Sequence, residues 1–267
     1  MKIVAIIPAR MGSSRFPGKP LALIHGMPMV GHVYFRTRMC RLLEETYVAT
    51  CDREIFDYIH SVGGRAVMTL DSHERCSDRT AEAMLKIEAE LGHPVDIVVM
   101  VQGDEPMVTP GMIEAAVGPM LQDSSISVVN LMARIVTQEE FEDPNEVKVV
   151  VGLHDEALYF SREPIPSRKK GVSEVPMLKQ VCIIPFRRDY LLKFNALSPT
   201  PLEQIESVDM LRIIEHGDRV HMVMTDANTV SVDTPADLER ASNLLQEDKL
   251  PAVYLSKPDG QASPSGK

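Results

Sequence analysis

Apolar positions along this chain fall into short unbroken runs separated by stretches of helical spacing, and that alternation sets the expected fold. Ile3-Val4-Ala5-Ile6-Ile7 is a continuous apolar run closed by Pro8, the pattern of a buried strand. Residues 28–43 read as a helix with Pro28 near its start, where a missing N–H does no harm. A short strand at 47–50 runs into Asp52, and a helix at 54–61 stops at Gly63-Gly64. A strand at 66–69 follows, then a helix at 77–91 capped by Ser77 and ended by Gly92, then a buried strand at 96–101. This β-α-β-α-β order predicts an α/β fold with an open, doubly wound, mostly parallel sheet.

The second half is mixed. Strands are expected at 126–130, 147–151, 179–186 and 219–224, and helices at 201–215 and 235–245. The end of the chain is rich in Pro, Gly and Ser, so the expectation is one domain over 1–248 and a disordered tail over 249–267.

Composition narrows the partners. A 44% hydrophobic share is enough for a core, while 5% aromatics and no Trp argue against a stacking platform for single-stranded nucleic acid. A net charge of −10 disfavours DNA and anionic membranes, and no apolar run is long enough to span a bilayer. The first strand starts at once, without a signal-peptide pattern. Cys40, Cys51, Cys76 and Cys182 form no CxxC pair and no zinc spacing, so they read as reduced thiols of a cytoplasmic protein.

Candidate chemistry begins at Pro8. The loop after the first strand holds Gly12, Ser13, Ser14 and Gly18 among three cations, Arg10, Arg15 and Lys19. Small residues let backbone N–H groups approach an anion, and the cations neutralise it, so the loop reads as a phosphate cradle. It is neither GxxxxGK(S/T) nor GxGxxG. Val101-Gln102-Gly103-Asp104-Glu105-Pro106 follows a buried strand, where open α/β sheets place ligands. A carboxylate beside a triphosphate calls for a cation between them, and Mg²⁺ is the expected one. Alone, that segment also fits a plain turn, and Ser231-Val232-Asp233-Thr234-Pro235 alone also fits a helix cap.

Taken together, these segments resemble the 3-deoxy-manno-octulosonate (Kdo) cytidylyltransferases. PAR-x-GSSRFPGKPL, VQGDEP, VDTP-x-DLE, NEVKVVV, ALYFSREPIP and PLEQIESVDMLR occur in the family's order and cover nearly the whole expected domain. The resemblance implies a nucleotide-diphospho-sugar transferase type of fold with a small β-rich dimerisation region around 126–186, and a homodimer. It implies CTP and a small acidic acceptor as ligands, with pyrophosphate released. Arg10, Lys19, Asp104 and Asp233 would be catalytic, the two aspartates holding Mg²⁺. Pro8, Ala9, Arg10, Gly12, Ser13, Arg15, Lys19, Arg79 and Gln102 would bind the nucleotide. With Kdo as acceptor, the product would serve cell-envelope polysaccharide. His32 and His73 read as structural or solvated, and no general base stands out.

The acceptor side departs from the family. A segment like H-x-SGT-(D/E)-R reads His73-Glu74-Arg75-Cys76-Ser77-Asp78-Arg79 here, so Cys fills a glycine position and Arg75 adds a fixed charge. A segment like H-x-GIYGYR reads Gln180-Val181-Cys182-Ile183-Ile184-Pro185-Phe186-Arg187. Loss of two polar partners there predicts poorer binding of a polyhydroxylated sugar. The expected acceptor set is Arg75, Gln102, Arg162, Gln180, Ile184 and Glu203. The acceptor is then Kdo, a related 2-keto sugar acid, or a smaller anion such as a phosphonate, and a non-catalytic CTP-binding protein is the remaining alternative.

Overall fold

The first apolar run is the central strand of the molecule. In the computed structural model, which describes residues 1–13, 15–172 and 174–255, β1 (Ile3–Pro8) has all six residues buried. The chain continues through β2 (Leu23–Ile24), β3 (Met27–Pro28), α1 (Met29–Arg38), β4 (Glu45–Thr50), α2 (Arg53–Ser61), β5 (Arg65–Met68), α3 (Cys76–Leu91) and β6 (Ile97–Val101). Then come α4 (Pro110–Gln122), β7 (Val129–Arg134), α5 (Gln138–Glu142), β8 (Lys148–Val151), β9 (Ala157–Ser161), β10 (Leu178–Val181) and β11 (Ile183–Arg187). Last are α6 (Arg188–Ala196), α7 (Pro201–Glu206), α8 (Met210–Glu215), β12 (His221–Thr225), α9 (Pro235–Glu247) and α10 (Pro251–Leu255).

The main sheet has the order β11-β6-β1-β4-β5, parallel except for β11. Strand alternation splits its side chains between two cores. Val4, Ile6, Val98 and Met100 pack with Ala83, Met84 and Ile87 of α3 and with Leu191 and Phe194 of α6. Ile3, Ala5, Ile7, Val99 and Val101 pack with Val30 and Val33 of α1 and with Ile113, Ala116 and Val117 of α4. Helices therefore cover both faces, as the doubly wound pattern predicts. A second sheet, β12-β7-β10-β8-β9, is antiparallel except between β12 and β7, and forms the expected β-rich region.

Several elements differ from the sequence reading. The run at 179–186 is not one strand. It breaks at Cys182, with β10 in the second sheet and β11 in the first. The backbone of Cys182 explains the switch, because its carbonyl accepts the Gln102 N–H at 3.0 Å and its own N–H donates to the Glu105 carboxyl at 3.3 Å. The stretch 201–215 is two helices, parted where Ser207 turns left-handed at φ 53°. The strand expected at 126–130 starts at Val129 and runs to Arg134. Ser77 does not cap α3, since Arg75 holds that position and Ser77 lies in the first turn. Residues 251–255, placed in a disordered tail, form α10. Residues 256–267 lie outside the described residues, as does Ser14 of the first loop. No helix among the described residues is long and apolar enough to cross a membrane.

Candidate active site

Three loops meet beyond the carboxyl ends of β1 and β6. The first follows β1. Its Met11 N–H donates to Asp52 at 2.7 Å, and Gly18, left-handed at φ 76°, donates its N–H to the Met11 carbonyl at 3.0 Å. That closure turns Lys19 inward at the head of a short 3₁₀ turn, Lys19–Leu21. The second loop follows β6. It lies so near the first that a Cβ on Gly103 would stand 3.0 Å from the Pro8 carbonyl and 3.2 Å from the Ala9 Cβ. The third ends at Asp233 before α9, and Val232 N–H donates to the Asp104 carbonyl at 2.9 Å. Thr234 caps α9 reciprocally with Asp237, which fixes the backbone beside Asp233.

Together these loops enclose a cavity of about 250 Å³ lined by Pro8, Ala9, Arg10, Gly12, Ser13, Arg15, Lys19, Pro20, Cys76, Gln102, Gly103, Asp104 and Asp233. All the expected nucleotide residues are there except Arg79. Lys19 Nζ is 2.7 Å from Asp104 and 3.1 Å from Asp233, and donates to the Val232 carbonyl at 2.8 Å. Arg15 reaches Asp233 at 2.8 Å and also bonds Asn145. Burial pushes the Lys19 ammonium down, but Asp104 and Asp233 outweigh it and hold it above its ordinary value. Asp104 Oδ1 is buried with no hydrogen-bond partner. Two facing carboxylates with an orphaned oxygen fit a hard divalent cation that completes its shell with phosphate and water. Among the described residues there is no cluster of three or more His, Cys, Asp or Glu.

The acceptor set is less coherent. Of its members, Gln102 lines the cavity. Arg75 lies 3.7 Å from Glu203. Glu203 is fully buried in a bidentate pair with Arg212, at 2.7 and 2.6 Å, and accepts the Thr200 N–H at 3.2 Å. Arg162 spends its guanidinium on the carbonyls of Glu206 and Pro144, at 2.7 and 2.8 Å. Gln180 donates to Asn130 at 2.6 Å. Ile184 is a core residue, 1% exposed among Met100 and Phe186. Arg79, expected at the nucleotide, is 2% exposed and holds Thr69 and the carbonyls of Leu70 and His73. These six side chains lie outside the cavity lining, the polar ones bonded or ion-paired elsewhere and Ile184 in the core.

The structure adds surroundings that the sequence does not show. Cys76 lines the cavity, and burial, with Asp104 and Asp209 adding to it, pushes its thiol up to about 12. Ser77 donates to Asp209 at 2.9 Å, and burial raises that carboxyl despite the bond. Burial and the neighbouring Asp104 push Glu105 up to about 8. Asp52, read only as a strand end, anchors the loop after β1. His32 bonds the Ile24 carbonyl at 2.8 Å and His73 pairs with Glu82 at 2.5 Å, consistent with structural roles for both. A wider groove of about 1040 Å³ lies at the opposite end of the sheet, lined by Glu88, Asp96, Arg187 and Arg188 among others. Its charges are internally satisfied: Arg188 holds Glu88 at 2.7 and 2.9 Å, and Arg187 holds the Ile126 and Met120 carbonyls.

Comparison with known proteins bears on this cavity. A family model described as cytidylyltransferase matches residues 4–222. A 3-deoxy-manno-octulosonate cytidylyltransferase of Geotalea uraniireducens is 44% identical, covering 92% of this chain and 100% of that protein. One from Geobacter metallireducens is 43% identical, covering 90% and 96%. A solved structure of CMP:2-keto-3-deoxy-manno-octonic acid synthetase complexed with CTP superposes with a TM-score of 0.84 at 40% identity, covering 92% of this chain and 99% of that one.

Proposed function

This chain belongs to the 3-deoxy-manno-octulosonate cytidylyltransferases, and from that membership we propose that it transfers the cytidylyl group of CTP to Kdo with release of pyrophosphate. The observation that carries the proposal is the joint placement of Arg10, Arg15, Lys19, Asp104 and Asp233 around one cavity at the strand ends. Arg10, Arg15 and Lys19 hold the triphosphate, and loop N–H groups approach it where Gly12 and Ser13 leave room. Asp104 and Asp233 would hold Mg²⁺, and the unpartnered Asp104 Oδ1 supports that reading. When bound, that ion supplies positive charge at the phosphates and lowers the pKa of the attacking hydroxyl.

The reaction is a displacement at phosphorus. The anomeric hydroxyl oxygen of the sugar acid forms the new P–O bond, the bond from the α-phosphorus to the pyrophosphate oxygen breaks, and the hydroxyl proton leaves. Catalysis is mostly positioning and stabilisation of phosphate charge, which Arg10, Arg15 and Lys19 supply. Gln102 faces the acceptor from the same loop as Asp104. A cytoplasmic homodimer is the expected setting. Its support is the second sheet, where Leu153 in the turn before the edge strand β9 and Leu158 within β9 are 99% and 58% exposed, and sedimentation at varied concentration tests it.

A second reading keeps the reaction and changes the acceptor to another 2-keto sugar acid or a small phosphonate. Arg75 and Cys76, both at the start of α3, favour it, since Arg75 adds a fixed charge suited to an anionic group and Cys76 fills space where the family pattern has glycine. Pyrophosphate release with Mg²⁺ and CTP, comparing Kdo with a panel of sugar acids and phosphonates, decides between them, with Asp104→Ala as control. Fastest turnover with Kdo supports the first reading. Fastest turnover with another acceptor supports the second, and tight CTP binding without turnover overturns both.

A further inference from the structure

The residues that follow α9 reach the catalytic loops through two side chains of α1. Arg36 is fully buried. Its Nε donates to the Val108 carbonyl at 2.6 Å and its Nη2 to the Met107 carbonyl at 3.2 Å, in the loop that carries Asp104. Its counter-ion is Asp248, at 2.7 Å, immediately after α9. Asp248 is itself fixed by the Leu250 N–H at 2.9 Å. One helical turn before Arg36, His32 is also fully buried, with Nε2 2.8 Å from the Ile24 carbonyl. A carbonyl only accepts, so that nitrogen carries the proton, and Nδ1 accepts from the Tyr254 hydroxyl at 2.7 Å. Tyr254 lies on α10 and stacks on Phe35, with centroids 5.8 Å apart and an interplanar angle of 9°. Ile24 stands in the hairpin that directly follows the Lys19–Leu21 turn.

Both wired loops share one small core. Ile24, Met29, Met107, Val230, Val232, Ala241 and Leu245 form a cluster of their own behind Lys19, Asp104 and Asp233. Apolar packing alone would hold such a cluster together without direction. A buried guanidinium on two consecutive carbonyls instead fixes the angle at which the 104–108 loop leaves the sheet, and it needs a counter-ion to stay there.

We propose that Arg36, Asp248 and Tyr254 are positioning residues for cytidylyl transfer: the segment 248–255 sets the placement of Asp104 and Lys19 without touching either substrate. This inference rests on the activity proposed above. Loosening the segment should misplace the Asp104 carboxylate and weaken both metal use and turnover, while acceptor contacts from α3 stay in place.

The test uses the full chain, with Asp248→Asn, Asp248→Glu and Tyr254→Phe beside the wild type. Wild-type turnover of CTP with Kdo is measured first, and its absence fails the parent reading alone, since amide exchange still tests the wiring. Asp248→Asn should lower kcat about tenfold and raise the half-saturating Mg²⁺ severalfold, with KM for Kdo within about twofold. Exchange of the amides over 102–109 should quicken about tenfold while β1 and β4 stay protected. Tyr254→Phe should move the same readouts by a smaller factor, and Asp248→Glu should restore most of the loss. A variant that melts lower yet matches wild-type kcat, Mg²⁺ requirement and 102–109 exchange at 25 °C overturns the proposal. If Asp248→Asn does not fold, Tyr254→Phe with unchanged kcat and exchange overturns it equally.

Discussion

Replacing Lys19 with Met separates the two things its ammonium does. In the free protein it is the shared counter-ion of Asp104 and Asp233, at 2.7 and 3.1 Å. At an effective dielectric of about 20, each contact is worth roughly 5–6 kcal/mol of gross attraction, most of it offset by desolvation. The three side chains are 14%, 17% and 15% exposed, so the site is mostly but not wholly dry. Breaking a buried pair costs about 3–5 kcal/mol, and partial solvation places Lys19→Met near the lower end. For a chain of this size that is a fall of roughly 6–12 °C in Tm. Magnesium then discriminates. In the variant a divalent ion meets two carboxylates with no competing ammonium, and at about 100 times its Kd it returns roughly 2.7 kcal/mol. In the wild type it must share the site with Lys19 and stabilises less. Thermal unfolding with and without saturating Mg²⁺ should show a shift at least twice as large in Lys19→Met. Turnover of CTP should fall by about 100-fold or more, since a charge that meets the triphosphate is gone. Equal Mg²⁺ shifts in the two proteins, or wild-type turnover in the variant, would refute the placement of cation and triphosphate.

Other residues give shorter tests. Glu203→Gln strands the Arg212 charge, which is 4% exposed, and should cost about 3–5 kcal/mol in urea unfolding; Glu203→Leu with Arg212→Met should recover most of it. A tenfold rise in KM for Kdo with unchanged stability would instead return Glu203 to the acceptor site. Burial raises Glu82, but Lys86, the Leu70 N–H and His73 together bring it down to about 2. A carboxyl held below its unfolded value stabilises above about pH 4.5 and loses that as pH falls toward 2, so Glu82→Gln should cost about 1–2 kcal/mol near neutrality, after screening, and nothing at the acid end. Gly103→Ala puts a Cβ 3.0 Å from the Pro8 carbonyl, and should lower kcat about tenfold for a stability loss of roughly 1–2 kcal/mol. Unchanged kcat there would mean that the spacing of the first two loops is not critical.

The parts of this molecule legible in the sequence are those whose determinants are local. The run Ile3–Ile7 needs no distant partner to read as a buried strand, and a loop with Arg10, Arg15 and Lys19 among small residues is cationic whatever surrounds it. Asp104 was legible for a related reason, since it follows a buried strand whose end is where an α/β sheet binds ligands, whereas Asp233 stood out through its match to the family's VDTP segment. The break at Cys182 was not legible, because nothing in the sequence on either side of Cys182 marks a turn and the switch depends on the backbone of the 102–105 loop.

On the acceptor side, the partners that the expected residues take in the structure were not legible, for the opposite reason. A guanidinium or carboxylate has several donors or lone pairs, and its role depends on which partner reaches it first. Arg162 matches the family motif, yet its donors go to Pro144 and Glu206. Glu203 sits in the PLEQIESVDMLR stretch beside Asp209, yet the turn at Ser207 sends the two carboxylates to different partners, Glu203 to Arg212 and Asp209 to Ser77. Motif resemblance reports that a residue type is wanted near a place, whereas the bond it makes there is set by helix ends and turns that one-residue changes move. Acceptor preference in this chain is therefore sought first at Arg75 and the start of α3, where the ion pair to Glu203 is long at 3.7 Å, before Arg162 or Glu203.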